Sequence, residues 1–105
     1  MGIKRHKAVL RVLQSAKPNL RQAILENSNK AIIYAICEII DNLLCGNIPI
    51  KESDRDQLRR HRNILRELVQ RGGGWRKKKR ILVQKGGSFL PLLLSAVASV
   101  LPHLL

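Results

Sequence analysis

Arg76, Lys77, Lys78, Lys79 and Arg80 form an unbroken cationic run, and the chemistry such a run performs best is neutralisation of phosphate. Lysine and arginine displace the counterions condensed on a nucleic-acid backbone, giving an affinity that falls with salt. Two more sets recur at helical spacing: Lys4, Arg5, Lys7 and Arg11 near the start of the chain, and Arg55, Arg59, Arg62 and Arg66 further on. Together these are the candidate nucleic-acid-binding residues. Reading base edges needs a few side chains held rigidly in a groove, and no helix-turn-helix signature supplies that. The expectation is backbone binding with little sequence preference, double-stranded DNA being favoured. Trp75, set among glycines and cations, has two readings: stacking on a base or wedging into a groove, and docking on the protein's own helices.

Other chemistry is poorly supplied. The seven Asp and Glu residues are scattered, and no Ser-His-Asp or Cys-His pairing stands out, so no catalytic residues are expected and the chain does not read as an enzyme. Cys37 and Cys45 are eight residues apart, about 80° apart around one helix, which disfavours a disulfide between them. Without a cluster of histidines they make no zinc site, and no metal or other cofactor is implied. They read as reduced core thiols. His6 and His61 belong to the basic faces, and His103 is isolated. "GGGWRKKKR" lacks the spacing of a phosphate-binding loop.

The totals point the same way. The chain has 105 residues, a net charge of +13 and a pI near 11.0, enough length for one small core. Residues 1–25 hold six cations and no acid, whereas residues 26–54 are net acidic and residues 55–87 carry twelve Lys or Arg. Such a balance implies a polyanionic partner, nucleic acid first and an anionic membrane surface second. "MGIKRHKAVLRVL" has no continuous apolar core or cleavage signature, so secretion is not expected. His6 stands where a myristoylation signal has Ser or Thr.

The elements that must position these residues are helical. Val9, Leu10, Val12, Leu13 and Ala16 predict a helix over about 3–16, and Pro18 opens a short second one to about Glu26, with Leu20, Ala23 and Ile24 inward. Ser28 is placed to cap a third, "NKAIIYAICEIIDNLLCG", apolar nearly all round and hence expected at the centre of a bundle, with Gly46 as its left-handed stop. Ser53 or Asp54 starts a fourth, to about Gln70, with Leu58, His61, Leu65 and Leu68 on one stripe. Gly72, Gly73 and Gly74 and the repelling cations after them then suggest a flexible hinge. The expected fold is all-α: a small bundle of about four helices over residues 1–70, a Gly-rich basic linker over 71–87 and an apolar C-terminal helix in a tail over 88–105. "KRHKAVLRVL" (Lys4 to Leu13) also matches "RRHRNILREL" (Arg59 to Leu68), an internal repeat or a coincidence of amphipathic basic helices.

The tail carries Phe89, Leu90, Leu92, Leu93, Leu94, Val97, Val100 and Leu101 and no Lys, Arg, Asp or Glu. Between Pro91 and Pro102 it offers about 12 helical residues, short of the roughly 20 a membrane span needs. It can lie in a membrane interface, pack on its own domain or pair with another chain.

A cationic tract followed by "KGGSFLPLLLSAVASVLP" resembles the end of the adenoviral core protein precursors known as pX or pre-mu, and related basic proteins of adenovirus-like viruses and virus-like (Maverick/Polinton-type) transposons. The resemblance covers residues 76–105; residues 1–70 have no counterpart in the adenoviral peptide. It implies a genome-condensing virion core protein, located in the virion core and host nucleus. It also implies processing by a viral maturation protease between Gly87 and Ser88, with Gln84 and Gly86 as recognition residues. Three functions are thus expected, in this order: a sequence-nonspecific DNA-binding and condensing protein, a small membrane-active protein that uses its tail, and a helical protein-protein adaptor. Self-association is compatible with each.

Overall fold

A computed structural model of the chain describes residues 5–102. They form an all-α fold, with no strand among the described residues. The helices are α1 (Lys7–Ser15), α2 (Pro18–Glu26), α3 (Lys30–Leu44), α4 (Glu52–Arg59), α5 (Arg62–Val69) and α6 (Gly74–Val100). The radius of gyration is 12.4 Å, close to the roughly 13 Å of a compact chain this long.

The short helices begin and end for local reasons. Pro18 occupies the first turn of α2, where its missing N–H is no loss. Asn29, rather than Ser28, caps α3: its Oδ1 accepts from the Ile32 amide at 3.1 Å, while the buried Ser28 hydroxyl donates back to the Ile24 carbonyl. At the other end of α3, Gly46 (φ 78°) donates to the Leu43 carbonyl and Asn47 to that of Asn42, a Schellman stop. The expected fourth helix is two, because the chain breaks at Arg60–His61 and sets the His61 ring 5.9 Å from Phe89.

The largest departure from expectation is α6. The hinge, the Gly-Gly junction and the tail form one 27-residue helix. Gly72 (φ 91°) and Gly74 (φ 67°) make a tight turn out of α5, one that an L side chain would strain, instead of an open hinge. Lys and Arg are good helix formers, and the apolar residues of α6 keep one register throughout. Leu82, Gly86, Phe89, Leu90, Leu93, Leu94 and Val97 are all buried along it. Pro91 cannot donate to the Gly87 carbonyl four residues back, and its ring crowds that turn. Gly87 is exposed, so the freed carbonyl is not trapped in the interior.

α6, not α3, is therefore the centre of the bundle, and all five other helices pack on it. Gln14 of α1 meets Ser95 at 3.4 Å; Leu25 packs beside Gly86 and Lys79 reaches the Ser28 carbonyl at 3.1 Å, so α2 runs antiparallel to α6. The buried residues of α2 are Arg21 and Leu25; of the expected inner face Ile24 packs half-buried against the core, whereas Ala23 is exposed and Leu20 is 53% exposed. Arg21 faces inward because its guanidinium closes the end of α1, donating to the Leu13 (3.3 Å) and Ala16 (2.6 Å) carbonyls. A cation suits the negative end of a helix dipole.

Candidate nucleic-acid interface

The first turns of α3 and α6 come together around two aromatic rings. Tyr34 lies one turn after Lys30 on α3, and the ammonium groups of Lys30 and Lys78 stand 5.7 and 5.9 Å from its ring centroid. Trp75 is half-buried against the core, with the Arg76 guanidinium 5.0 Å and the Lys79 ammonium 5.7 Å from its ring. Cations over ring faces are attracted by the ring quadrupole, so each aromatic holds two cations in a shared position. Lys79 is fixed further by its bond to the Ser28 carbonyl. Of the expected run, Arg76, Lys77 and Arg80 are exposed, and Lys78 and Lys79 are half-buried.

This arrangement offers preset phosphate ligands at the surface around Tyr34, which is 41% exposed. Lys30 and Tyr34 were not among the residues singled out from the sequence. Their signal is a Lys-x-x-x-Tyr pair on one helical face, legible only once α6 is known to cross that face.

The other two cationic sets lie elsewhere. Arg5 and Arg11 are exposed on or beside α1 and Lys7 is half-buried; Lys4 lies outside the described residues. The last turn of α1 meets α6 at Ser95, sixteen residues beyond Lys79, or about 24 Å along the axis. Arg55, Arg59, Arg62 and Arg66 are exposed along α4 and α5, where they border a cleft of about 520 Å³. Among the described residues one ion pair forms, Arg59 with Asp56 at 3.3 Å, so the remaining surface cations have no carboxylate partner.

The internal match has a structural counterpart. His6 and His61 take equivalent places before α1 and α5, with φ, ψ of −108°, 18° and −105°, 12°. Each carbonyl accepts from an amide four residues on, that of Leu10 or of Leu65, at 3.0 Å. Leu10, Leu13, Leu65 and Leu68 are all buried.

The junction and tail residues belong to the core helix. Gln84, Gly87 and Ser88 are exposed on α6 and Gly86 is buried. Of the tail, Phe89, Leu90, Leu93, Leu94 and Val97 are buried, and Leu92, Val100 and Leu101 pack against the core half-buried. The tail thus packs on its own domain, and its apolar face is occupied. By length and composition α6 passes for a membrane span, with mean hydropathy 1.5 over 18 residues, contrary to the short tail helix expected. His103 lies outside the described residues.

The two thiols differ. Cys37 is buried on α3, and desolvation pushes its pKa up to about 11 against a smaller opposing effect of Lys78. Cys45 is exposed at the end of α3, not in the core. Among the described residues no three His, Cys, Asp or Glu side chains come together as a metal-binding group. No protein-family model, curated protein or solved structure matches the chain.

Proposed function

We propose that this protein binds nucleic acid through its phosphate backbone, without sequence preference, and condenses it. The observation that carries this reading is the α3–α6 cluster, where Tyr34 and Trp75 order Lys30, Arg76, Lys78 and Lys79 into one cationic surface. Preset cations need little ordering on contact with a phosphate backbone. Condensation follows from the distribution of charge. Cations at the start of α6 and on α1 sit at different levels of the molecule, so one protein can neutralise two strands at once. The similarity of residues 76–105 to adenoviral pX-type proteins supports a genome-packaging role in a virion core.

Fluorescence-polarisation titrations against two unrelated duplexes and a single strand, at several salt concentrations, test the reading. Equal affinities for the two duplexes, falling about a thousandfold between 50 and 200 mM salt, are expected for roughly six phosphate contacts. Absence of binding at 50 mM salt, or a strong preference for one duplex, would refute it. Processing at Gly87–Ser88 is a separate proposal. It requires the turn around Gly86 to unwind, so cleavage fits the chain before folding, and mass spectrometry of the native protein would reveal a species ending at Gly87.

A further inference from the structure

The α4–α5 arginines border an apolar cleft that nucleic acid does not complement. Its floor is Leu43, Leu44 and Ile50 from the end of α3 and the following loop, with Leu58 and Leu65 beneath. Leu44 is 41% exposed there, one of few large apolar side chains so open to water. Along one wall stand Arg55, Arg59, Arg62 and Arg66, spaced i, i+4, i+7 and i+11, and no acidic side chain lines the cleft. Arg55 and Arg59 are one turn apart on α4, and Arg62 and Arg66 one turn apart on α5, each pair separated by about 6 Å along its axis.

We infer that this cleft is a docking site for an acidic amphipathic helix of a partner protein. Charge complementarity selects this occupant. A helix with apolar residues at i, i+3/i+4 and i+7 fills the floor, and carboxylates on its flank meet the guanidinium row, which favours bidentate contact. A bare phosphate backbone would satisfy the arginines and leave the leucine floor wet. The existing Arg59–Asp56 pair is solvent-exposed and is readily exchanged for a partner carboxylate. This inference is independent of the nucleic-acid reading, which rests on the α3–α6 cluster.

The probe is a fluorescein-labelled peptide of about 14 residues with Leu on one helical face and Glu on both flanks, compared with a scrambled peptide of identical composition. Full-length protein is titrated with each, alongside a duplex. The amphipathic peptide is expected to bind at least tenfold tighter than the scrambled one. Leu44→Ser, and separately Arg62→Gln with Arg66→Gln, should each weaken it about tenfold. Leu44→Ser should leave duplex affinity unchanged, and far-ultraviolet circular dichroism confirms that each variant is folded. Equal binding of the two peptides, or peptide affinity indifferent to Leu44→Ser, overturns the proposal while leaving duplex binding to be judged alone. Displacement of the peptide by anionic phosphatidylserine vesicles, but not by neutral ones, through a Leu44-dependent contact would assign the cleft to a lipid surface instead and overturn it equally.

Discussion

Replacing Gly86 and Gly87 with alanine should stabilise this protein, because both glycines lie in the interior of α6. Both have ordinary helical φ; the positive-φ glycines are Gly46, Gly72 and Gly74. A methyl group at Gly86 would lie 3.6 Å from a Leu25 methyl, 3.9 Å from Leu90 and 4.0 Å from Leu82, ordinary contact distances. At Gly87 its nearest neighbour is Arg21 Nη1 at 4.0 Å. Gly-to-Ala exchange in a helix interior is worth about 1 kcal/mol, so the pair should contribute about 2 kcal/mol. That is a large fraction of the roughly 5–15 kcal/mol expected of a domain this size. With a urea m-value near 2 kcal/mol/M, the midpoint followed by circular dichroism at 222 nm should rise about 1 M. Gly74→Ala supplies the opposite sign: at φ 67° a Cβ is strained, and the midpoint should fall. A double variant with an unchanged or lower midpoint would refute the continuous helix and restore a flexible junction.

Phe89→Ala removes the largest fully buried side chain from the centre of α6 and should lower stability by about 3–5 kcal/mol, measured by the same urea titration; a loss below 1 kcal/mol would place Phe89 outside the core. Arg21→Met should cost about 1.5–3 kcal/mol, because two carbonyls at the end of α1 lose a charged donor. At pH 8 a thiol-reactive dye should label one cysteine quickly, Cys45, with Cys37 reacting only after denaturation; two fast equivalents would contradict the burial of Cys37. Because the folded Cys37 keeps its proton to about pH 11 and an unfolded thiol loses it near 9, its contribution is intact below pH 9 and is lost as pH rises through that window. Cys37→Ala should remove that part of the alkaline decline in stability.

The helical class, the Pro18 start of α2, the Gly46 stop and the buried leucines of the internal match are all legible in the sequence, since each is set by local chemistry within one or two turns. The role of residues 71–102 is not. Gly-rich and cationic segments carry local signals for a loop, and these outweighed the register that Leu82, Gly86, Phe89, Leu93 and Val97 keep along one face of a helix. A glycine can belong to an apolar stripe when a neighbour such as Leu25 fills the space above it, and no local rule reports that neighbour. The inward Arg21 is hidden for a similar reason, because the carbonyls it satisfies belong to another helix. The α3–α6 cluster shares this property: its cations are visible in the sequence, but Lys30 and Tyr34 join them only through packing.

The central claim, that the start of α6 holds phosphate, is tested most directly by the salt dependence of duplex binding in one variant. Arg76, Lys77 and Arg80 are exposed; Arg76 lies over the Trp75 ring, and it is Lys79, not one of these three, that is tied to the Ser28 carbonyl. Arg76→Gln, Lys77→Gln and Arg80→Gln together should therefore leave the urea midpoint within about 0.5 M. They should reduce the slope of log affinity against log salt by about 2.7, at 0.9 per phosphate contact. A wild-type slope retained in the triple variant would contradict the claim and assign phosphate binding to another surface.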